Sequence, residues 1–298
     1  MINQSCDHIL LVEPESFFSN PETMETNPYQ AQNPENLKEI NQKAIAEHRA
    51  YRDAIINAGI AVTCMKGKKG TPDDIFGGNC YSTHADGTAY IYSMMAENRR
   101  QEKRPYMTDI ITRGYETIID YSALEQDNRF LEGTGSMVMD HVNRVVYATL
   151  SKRTNEDLVK QWCKEQGYEP VIFHCTDPYG KSVYHTDLVL YIGTEVAGFV
   201  SGCVDEEFKK PVLDRLSKTH DVVEFDKDQL LKMVGNSLEV RNFDNDRYLI
   251  MSDTAYKGMR DDQRTRLEPY FKDIIHPDIS TIEEYGGGSA RCLILEMF

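Results

Sequence analysis

The chain has 298 residues, 40% of them hydrophobic, and sets 33 Lys and Arg against 48 Asp and Glu for a formal charge of -15. The evenly spread apolar residues exclude a disordered segment, and the acidic balance excludes polyanion partners, because such a surface repels nucleic acid and anionic membranes. No run approaches the roughly 18 apolar residues of a membrane span, and the opening MINQSCDHILLVEP lacks the basic stretch of a signal peptide.

In chain order, the sequence predicts a strand over 8–12, a helix over 36–58, and strands over 61–65, 88–93, 116–121, 136–139 and 144–150. A helix over 154–167 follows, then strands over 170–174, 187–192 and 196–204, a helix over 206–218 and a strand over 221–225. The remainder reads as a helix over 226–233, strands over 237–242 and 247–252, a helix over 261–271 and a last strand over 291–297. Strands outnumber helices by more than two to one, which argues against a doubly wound sheet with its near one-to-one alternation. Mixed units of two or three strands per helix fit better, and with no Pro/Ser-rich linker the chain reads as one domain over 1–298. Seven scattered cysteines without CxxC pairs are the usage of reduced thiols in a cytoplasmic protein, with no structural metal.

Three short clusters carry chemistry. Tyr285-Gly286-Gly287-Gly288-Ser289-Ala290-Arg291-Cys292 leads through three glycines into the last strand, where backbone without β-carbons lets a ligand approach a thiol. The same features also suit an ordinary buried cysteine. Tyr184-His185-Thr186-Asp187 puts a histidine at the mouth of a strand, with a carboxylate two residues on that shares its side if the segment is extended; an isolated pair of this kind more often just hydrogen-bonds to itself. Leu131-Glu132-Gly133-Thr134-Gly135-Ser136 sets a carboxylate beside a glycine turn, suited to orienting a histidine and equally to an exposed hairpin. Together they supply a nucleophile, an acid/base and a carboxylate. A metal held by His185, Asp187 and Glu132 is the weaker combination, since no His or Cys spacing accompanies it.

These residues resemble the penteins: arginine deiminases, dimethylarginine dimethylaminohydrolases, amidinotransferases and relatives, most closely the arginine-deiminase-related branch of citrulline-utilising hydrolases. The landmarks run in the family's order: Pro72-Asp73-Asp74-Ile75-Phe76 with Asn79 to His84, Met94 to Arg100 with Glu102, the Glu132 cluster, Ser151 to Asn155, the His185 cluster, Gly235-Asn236-Ser237-Leu238-Glu239, and Gly286 to Cys292. The resemblance implies an α/β propeller of five ββαβ units around a central channel. It implies Cys292 as nucleophile, His185 as general acid/base, Glu132 as its supporting carboxylate, Asp187 on the guanidinium, and Arg99 and Arg153 on the substrate carboxylate.

One departure bears on substrate. Asn79 stands where guanidine-binding relatives usually carry an aspartate, and an amide, both donor and acceptor, suits a neutral ureido group. Asp187 points instead to a guanidinium, with Asp73 supplying further charge. The reading is a cofactor-free hydrolase of a ureido or guanidino amino acid, citrulline to ornithine or arginine to citrulline. An amidinotransferase and a catalytically silent binding member of the fold are the alternatives. The sequence sets no oligomeric state. By position in the chain, the helix over 36–58 and the loop over 27–34 are expected to cover the site.

Overall fold

The computed structural model describes residues 3–34 and 36–298. Strand β1 (His8–Glu13) is an apolar run buried along its middle, the pattern of a strand covered on both faces. It runs parallel to β2 (Ala61–Lys66). Parallel neighbours cannot be joined by a tight turn, and the helix Leu37–Asn57 makes the crossover, burying Ile40, Ala44, His48, Tyr51 and Ile55 on one face.

The same plan then recurs. β3 (Tyr81–Thr83) pairs antiparallel with β4 (Thr88–Ile91), the helix Pro105–Thr112 crosses over, and β5 (Thr117–Asp120) returns parallel to β4. β6 (Val138–Asp140), β7 (Val145–Thr149), the helix Glu156–Gln166 and β8 (Glu169–Phe173) repeat it. So do β9 (Leu190–Ile192), β10 (Val196–Phe199), the helix Glu206–Leu216 and β11 (Asp221–Glu224). β12 (Leu238–Arg241), β13 (Arg247–Ile250), the helix Asp261–Leu267 and β14 (Asp273–Ile275) make the fourth copy. Finally β15 (Leu295–Met297) pairs antiparallel with β1. Five three-stranded sheets result, each a ββαβ unit as the family resemblance implies and within the two or three strands per helix expected from the ratio.

The cores lie between sheets, which arranges the five in a ring. Leu10, Val12 and Leu295 pack on Tyr81 and Ile91 of the next sheet, and Tyr90, Tyr92 and Tyr121 meet Met139, Val146 and Ala148 around Trp162. Val145 and Tyr147 then meet Leu190 and Phe199, which lead on to Leu249 and Met251. Val240 and Ile250 return to Ile9, Leu11 and Ile294.

The differences from the sequence reading concentrate at the inner ends of the sheets. The strand expected over 187–192 begins only at Leu190, because Thr186–Leu188 form a tight 3-10 turn. The strand expected over 291–297 begins at Leu295, with Cys292 in the turn before it; the Arg291 and Cys292 N–H groups bond the Asn236 side chain instead of a strand ladder. The strand expected over 196–204 stops at Phe199, and residues 227–232 are 3-10 rather than α. Two three-residue strands, β3 and β14, and the helices Pro105–Thr112, Asp253–Gly258 and Ser280–Gly286 were not foreseen; three residues are too few to show a period of two.

Candidate active site

The first strand of each sheet is entered through a tight turn, and the five turns meet at one end of the ring. They are Gly77–Asn79 before β3, Gly133–Ser136 before β6, Thr186–Leu188 before β9, residues 233–235 before β12 and residues 290–293 before β15. Side chains lock each turn to its predecessor. Thr134 Oγ1 donates to the Gly78 carbonyl at 3.0 Å, Thr186 Oγ1 to that of Ser136 at 2.6 Å, and Asn236 Nδ2 to that of Asp187 at 3.0 Å. The Arg291 N–H then donates to Asn236 Oδ1 at 3.0 Å. Buried and mutually satisfied, these bonds fix the backbone that carries the reactive groups.

The expected nucleophile and acid/base stand in separate pairs. His185 Nε2 is 2.9 Å from Glu132 Oε2, and neither side chain is more than 2% exposed. Burial alone would push the Glu132 carboxyl up, but Arg153, the His185 bond and Arg99 outweigh it and hold the group at about 2. Glu132 is therefore an anion at any ordinary pH. The Cys292 thiol donates to Asp187 Oδ2 at 3.2 Å and receives Asn236 Nδ2 at 3.1 Å. Burial and the Asp187 charge push this thiol well above its ordinary value, and burial likewise raises Asp187. His185 and Asp187 do not share one face as an extended segment would have them, because the 3-10 turn separates them: Glu132 faces the histidine and Asp187 faces the sulfur. Glu132, expected in a hairpin or a glycine turn, lies at the start of the four-residue helix Gly133–Ser136. A β-carbon on Gly135 would stand 2.6 Å from His185 Nδ1 and 2.6 Å from the Asn79 amide nitrogen, so only glycine lets these two groups close on the turn.

Arg99 and Arg153 both reach the site. Arg99 makes a fork on Glu102 at 3.0 and 3.1 Å, donates to Asn79 Oδ1 at 3.0 Å and stands 3.6 Å from Glu132. These partners lie within the protein, and through them Arg99 braces Asn79 and Glu132. Arg153 stands 3.6 Å from Glu132, lies over the Tyr184 ring at 4.7 Å, and donates to Thr26 Oγ1 and the Thr23 carbonyl. Asp73 accepts on Oδ2 from Asn20 at 2.8 Å and Thr23 at 3.3 Å, while its Oδ1, like Oδ1 of Asp187, is buried with no partner. Buried carboxylate oxygens without donors are costly, and an N–H-rich group that reached them would be stabilised.

Asp73, Asn79, Arg99, Arg153, His185 and Cys292 line a common cavity of about 10 Å³, room for about one water molecule. A strap over residues 20–30 covers it. Asn27 Nδ2 and Gln30 Nε2 both donate to the Gly286 carbonyl at 3.1 Å, and Gly287 holds φ +63° where a β-carbon would meet the Asn27 amide at 2.5 Å. The cover expected over 27–34 thus lies slightly earlier. The helix Leu37–Asn57, also expected there, packs instead on β1, β2 and Ser280–Gly286, with none of its residues lining the cavity.

All eight residues singled out in the sequence converge here, around a thiol, a histidine and carboxylates without a metal cage: among the described residues no group of three or more His, Cys, Asp and Glu side chains is arranged to hold a metal ion. The family model described as N,N dimethylarginine dimethylhydrolase, eukaryotic, matches residues 13–298. The chain belongs to this family. It is a pentein, within a group of guanidino-modifying hydrolases. The N-terminal domain of ArgZ, an arginine dihydrolase from the ornithine-ammonia cycle in cyanobacteria, matches at 20% identity with TM-score 0.78 over 97% of both chains. Unliganded AgrE matches at 18% and 0.78, over 98% of this chain and 39% of its own. A dimethylarginine dimethylaminohydrolase from Pseudomonas aeruginosa, complexed with citrulline, matches at 18% and 0.71 over 98% and 99%. No curated protein sequence matches the chain. No helix among the described residues is long and apolar enough to cross a membrane.

Sequence reasoning missed two features of this pentein site. Asn236, within the Gly235-Asn236-Ser237 landmark, contacts the sulfur itself, and its signal was the polar residue between small ones just before a strand. Asn20 and Thr23 of the strap reach Asp73 across 53 and 50 residues of chain, contacts that no local pattern announces.

Proposed function

We propose that this family member is a cysteine hydrolase of a guanidino or ureido amino acid, acting through a single catalytic domain. The observation that carries the reading is the cavity lined by Cys292, by His185 braced by Glu132, and by Asp73 with its partnerless Oδ1, with Asp187 bonded to the Cys292 sulfur behind it. The oxygens suit the N–H edges of a planar end group, and the sulfur lies against the same end.

A cationic guanidinium set against Asp187 removes the negative charge that keeps the Cys292 proton on, so binding favours the thiolate where it is needed. The thiolate attacks the central carbon, an S–C bond forms, and His185 gives a proton to the departing nitrogen as the C–N bond breaks. His185 then takes a proton from water as its oxygen attacks the same carbon, the S–C bond breaks, and a ureido product and free thiolate remain. The Glu132 anion holds the imidazole in place and offsets its charge throughout. No cofactor enters either step.

Asn79 favours a site that also accepts the ureido product. Its Oδ1 is held by Arg99, which leaves the NH2 as the free end of an amide that lines the cavity, and a neutral amide does not require a cationic end group. The likeness to ArgZ, described as an arginine dihydrolase, supports the same direction: arginine passes through citrulline to ornithine, the second hydrolysis releasing carbon dioxide and ammonia. The strap must lift, since the space beneath it admits about one water. Incubation with arginine, citrulline, dimethylarginine and agmatine, with ammonia, citrulline and ornithine assayed, tests the proposal. Citrulline and then ornithine are expected from arginine; no turnover of any of the four compounds would overturn it.

A further inference from the structure

We infer that Asn236 is a catalytic residue of this centre: its amide N–H is the side-chain hydrogen-bond donor that stabilises the Cys292 thiolate, while its amide oxygen aims the sulfur. This rests on the cysteine-hydrolase reading and names a group that reading does not use.

Asn236 is fully buried and every polar atom of its side chain is committed. Nδ2 donates to Cys292 Sγ at 3.1 Å and to the Asp187 carbonyl at 3.0 Å. Oδ1 accepts from the backbone N–H groups of Arg291 at 3.0 Å and Cys292 at 3.3 Å. One side chain thereby grips the nucleophile's backbone and its sulfur at once. The assignment of Nδ2 and Oδ1 is forced, because the two backbone N–H groups can only donate.

The surroundings of the sulfur make this donor necessary. Asp187 stands 3.2 Å away and opposes ionisation. The Tyr51 and Tyr184 hydroxyls are spent on the carbonyls of Ala290 and Gly287. Arg291, next in the chain, is turned away to the Ile294 carbonyl and to Glu296. Across the cavity, His185 and Arg153 are engaged with Glu132, and Arg99 with Glu102 and Asn79; Asp73 there adds a further carboxyl group and no donor. When a guanidinium takes up Asp187, the sulfur loses that partner to the substrate, and the Asn236 N–H stays on it as its side-chain donor, beside the Ser289 backbone N–H. The same donor serves when the thiolate departs from the carbon in the second step. A donor is required at this place, and an anion would be harmful.

The test is the pH dependence of Cys292 alkylation by iodoacetamide in the free 298-residue chain, read by mass spectrometry on the peptide containing Cys292, for Asn236→Ala, Asn236→Asp and Asn236→Ser. A hydrogen bond to a charged group corresponds to roughly a ten- to hundredfold effect, so the half-ionisation pH rises by about one to two units in Asn236→Ala. The rise is larger in Asn236→Asp, which keeps an oxygen for the two backbone N–H groups yet replaces the donor with an anion, and smallest in Asn236→Ser, whose hydroxyl can donate. Turnover follows in the same order, with kcat falling tenfold or more and KM within about threefold. A role confined to holding the turn predicts the reverse ranking, Asn236→Asp being the mildest, and that ranking or an unmoved alkylation curve overturns the inference. Alkylation needs no substrate: a shifted curve without turnover of any guanidino or ureido compound removes the function proposed above and leaves the donor standing, whereas turnover with unmoved curves removes the donor alone.

Discussion

Replacing Glu132 by Gln keeps its shape and removes a charge on which two guanidinium groups and a histidine converge. Oε2 receives His185 at 2.9 Å and stands 3.6 Å from both Arg99 and Arg153. In the folded protein the carboxyl sits at about 2 against an ordinary value of 4.5. A group depressed by that much contributes about 3 kcal/mol of stability at neutral pH. Stripping one partner from a buried ion pair costs about 3–5 kcal/mol by mutational experience, so the two routes agree. For a chain of this size about 3 kcal/mol lowers the melting temperature by roughly 6–12 °C. Because the folded value lies below the unfolded one, the contribution is fully present above pH 4.5 and is lost as the pH falls toward 2. Urea unfolding of Glu132→Gln and the parent chain should therefore differ by a constant amount from pH 5 to 8 and by less below pH 4. The same variant loses the anion that holds His185, and kcat should fall about 10²- to 10⁴-fold, the range of general acid-base contributions. A variant that melts within 1 °C of the parent and turns over at its rate would refute the assignment of Glu132 as the charge at the centre.

Asn79→Asp adds an anion beside Arg99 and should raise the ratio of guanidino to ureido turnover by about tenfold, roughly one charge interaction at this distance; an unchanged ratio in paired kcat/KM measurements removes Asn79 from substrate choice. Gly135→Ala places a β-carbon 2.6 Å from His185 Nδ1, and the displaced imidazole should cost about 10²-fold in kcat, as misplacement by about 1 Å does; undiminished kcat would show that the histidine tolerates movement. Trp162→Ala empties the core shared by two neighbouring sheets, and the expected loss is about 3–5 kcal/mol by denaturant unfolding, a loss below 1 kcal/mol contradicting the packing described.

The sheets were legible because their central strands are written as unbroken apolar runs, such as ILLV in β1 and VVYA in β7, bounded by turn residues. The inner strands that open each unit were harder. β3 shows three residues in Tyr81–Thr83 and β15 three in Leu295–Met297, and the tight turns before them borrow apolar residues that extended the expected strands over 187–192 and 291–297. Those turns are where the chemistry lies, and their conformation is set by bonds to other turns: Thr186 to the Ser136 carbonyl, and Asn236 to Asp187 and Arg291. Local sequence could therefore name Cys292, His185, Glu132 and Asp187 but misjudged which pairs with which. Arg99 was legible as a site residue, and its commitment to Glu102 was not, because that depends on how residues 97–102 fold against Asn79. The strap was expected over 27–34 from its place in the chain, and the bonds from Asn20 and Thr23 to Asp73 place its beginning earlier.

The account turns on Cys292 attacking the central carbon of the substrate end group. The most direct measurement is an acid quench during turnover of arginine, with digestion and mass spectrometry of the peptide containing Cys292, alongside the activity of Cys292→Ser. The account predicts a covalent adduct on Cys292 whose level rises and falls with turnover, and no activity above background in Cys292→Ser. Undiminished turnover by Cys292→Ser, with no adduct on the parent protein, would contradict it.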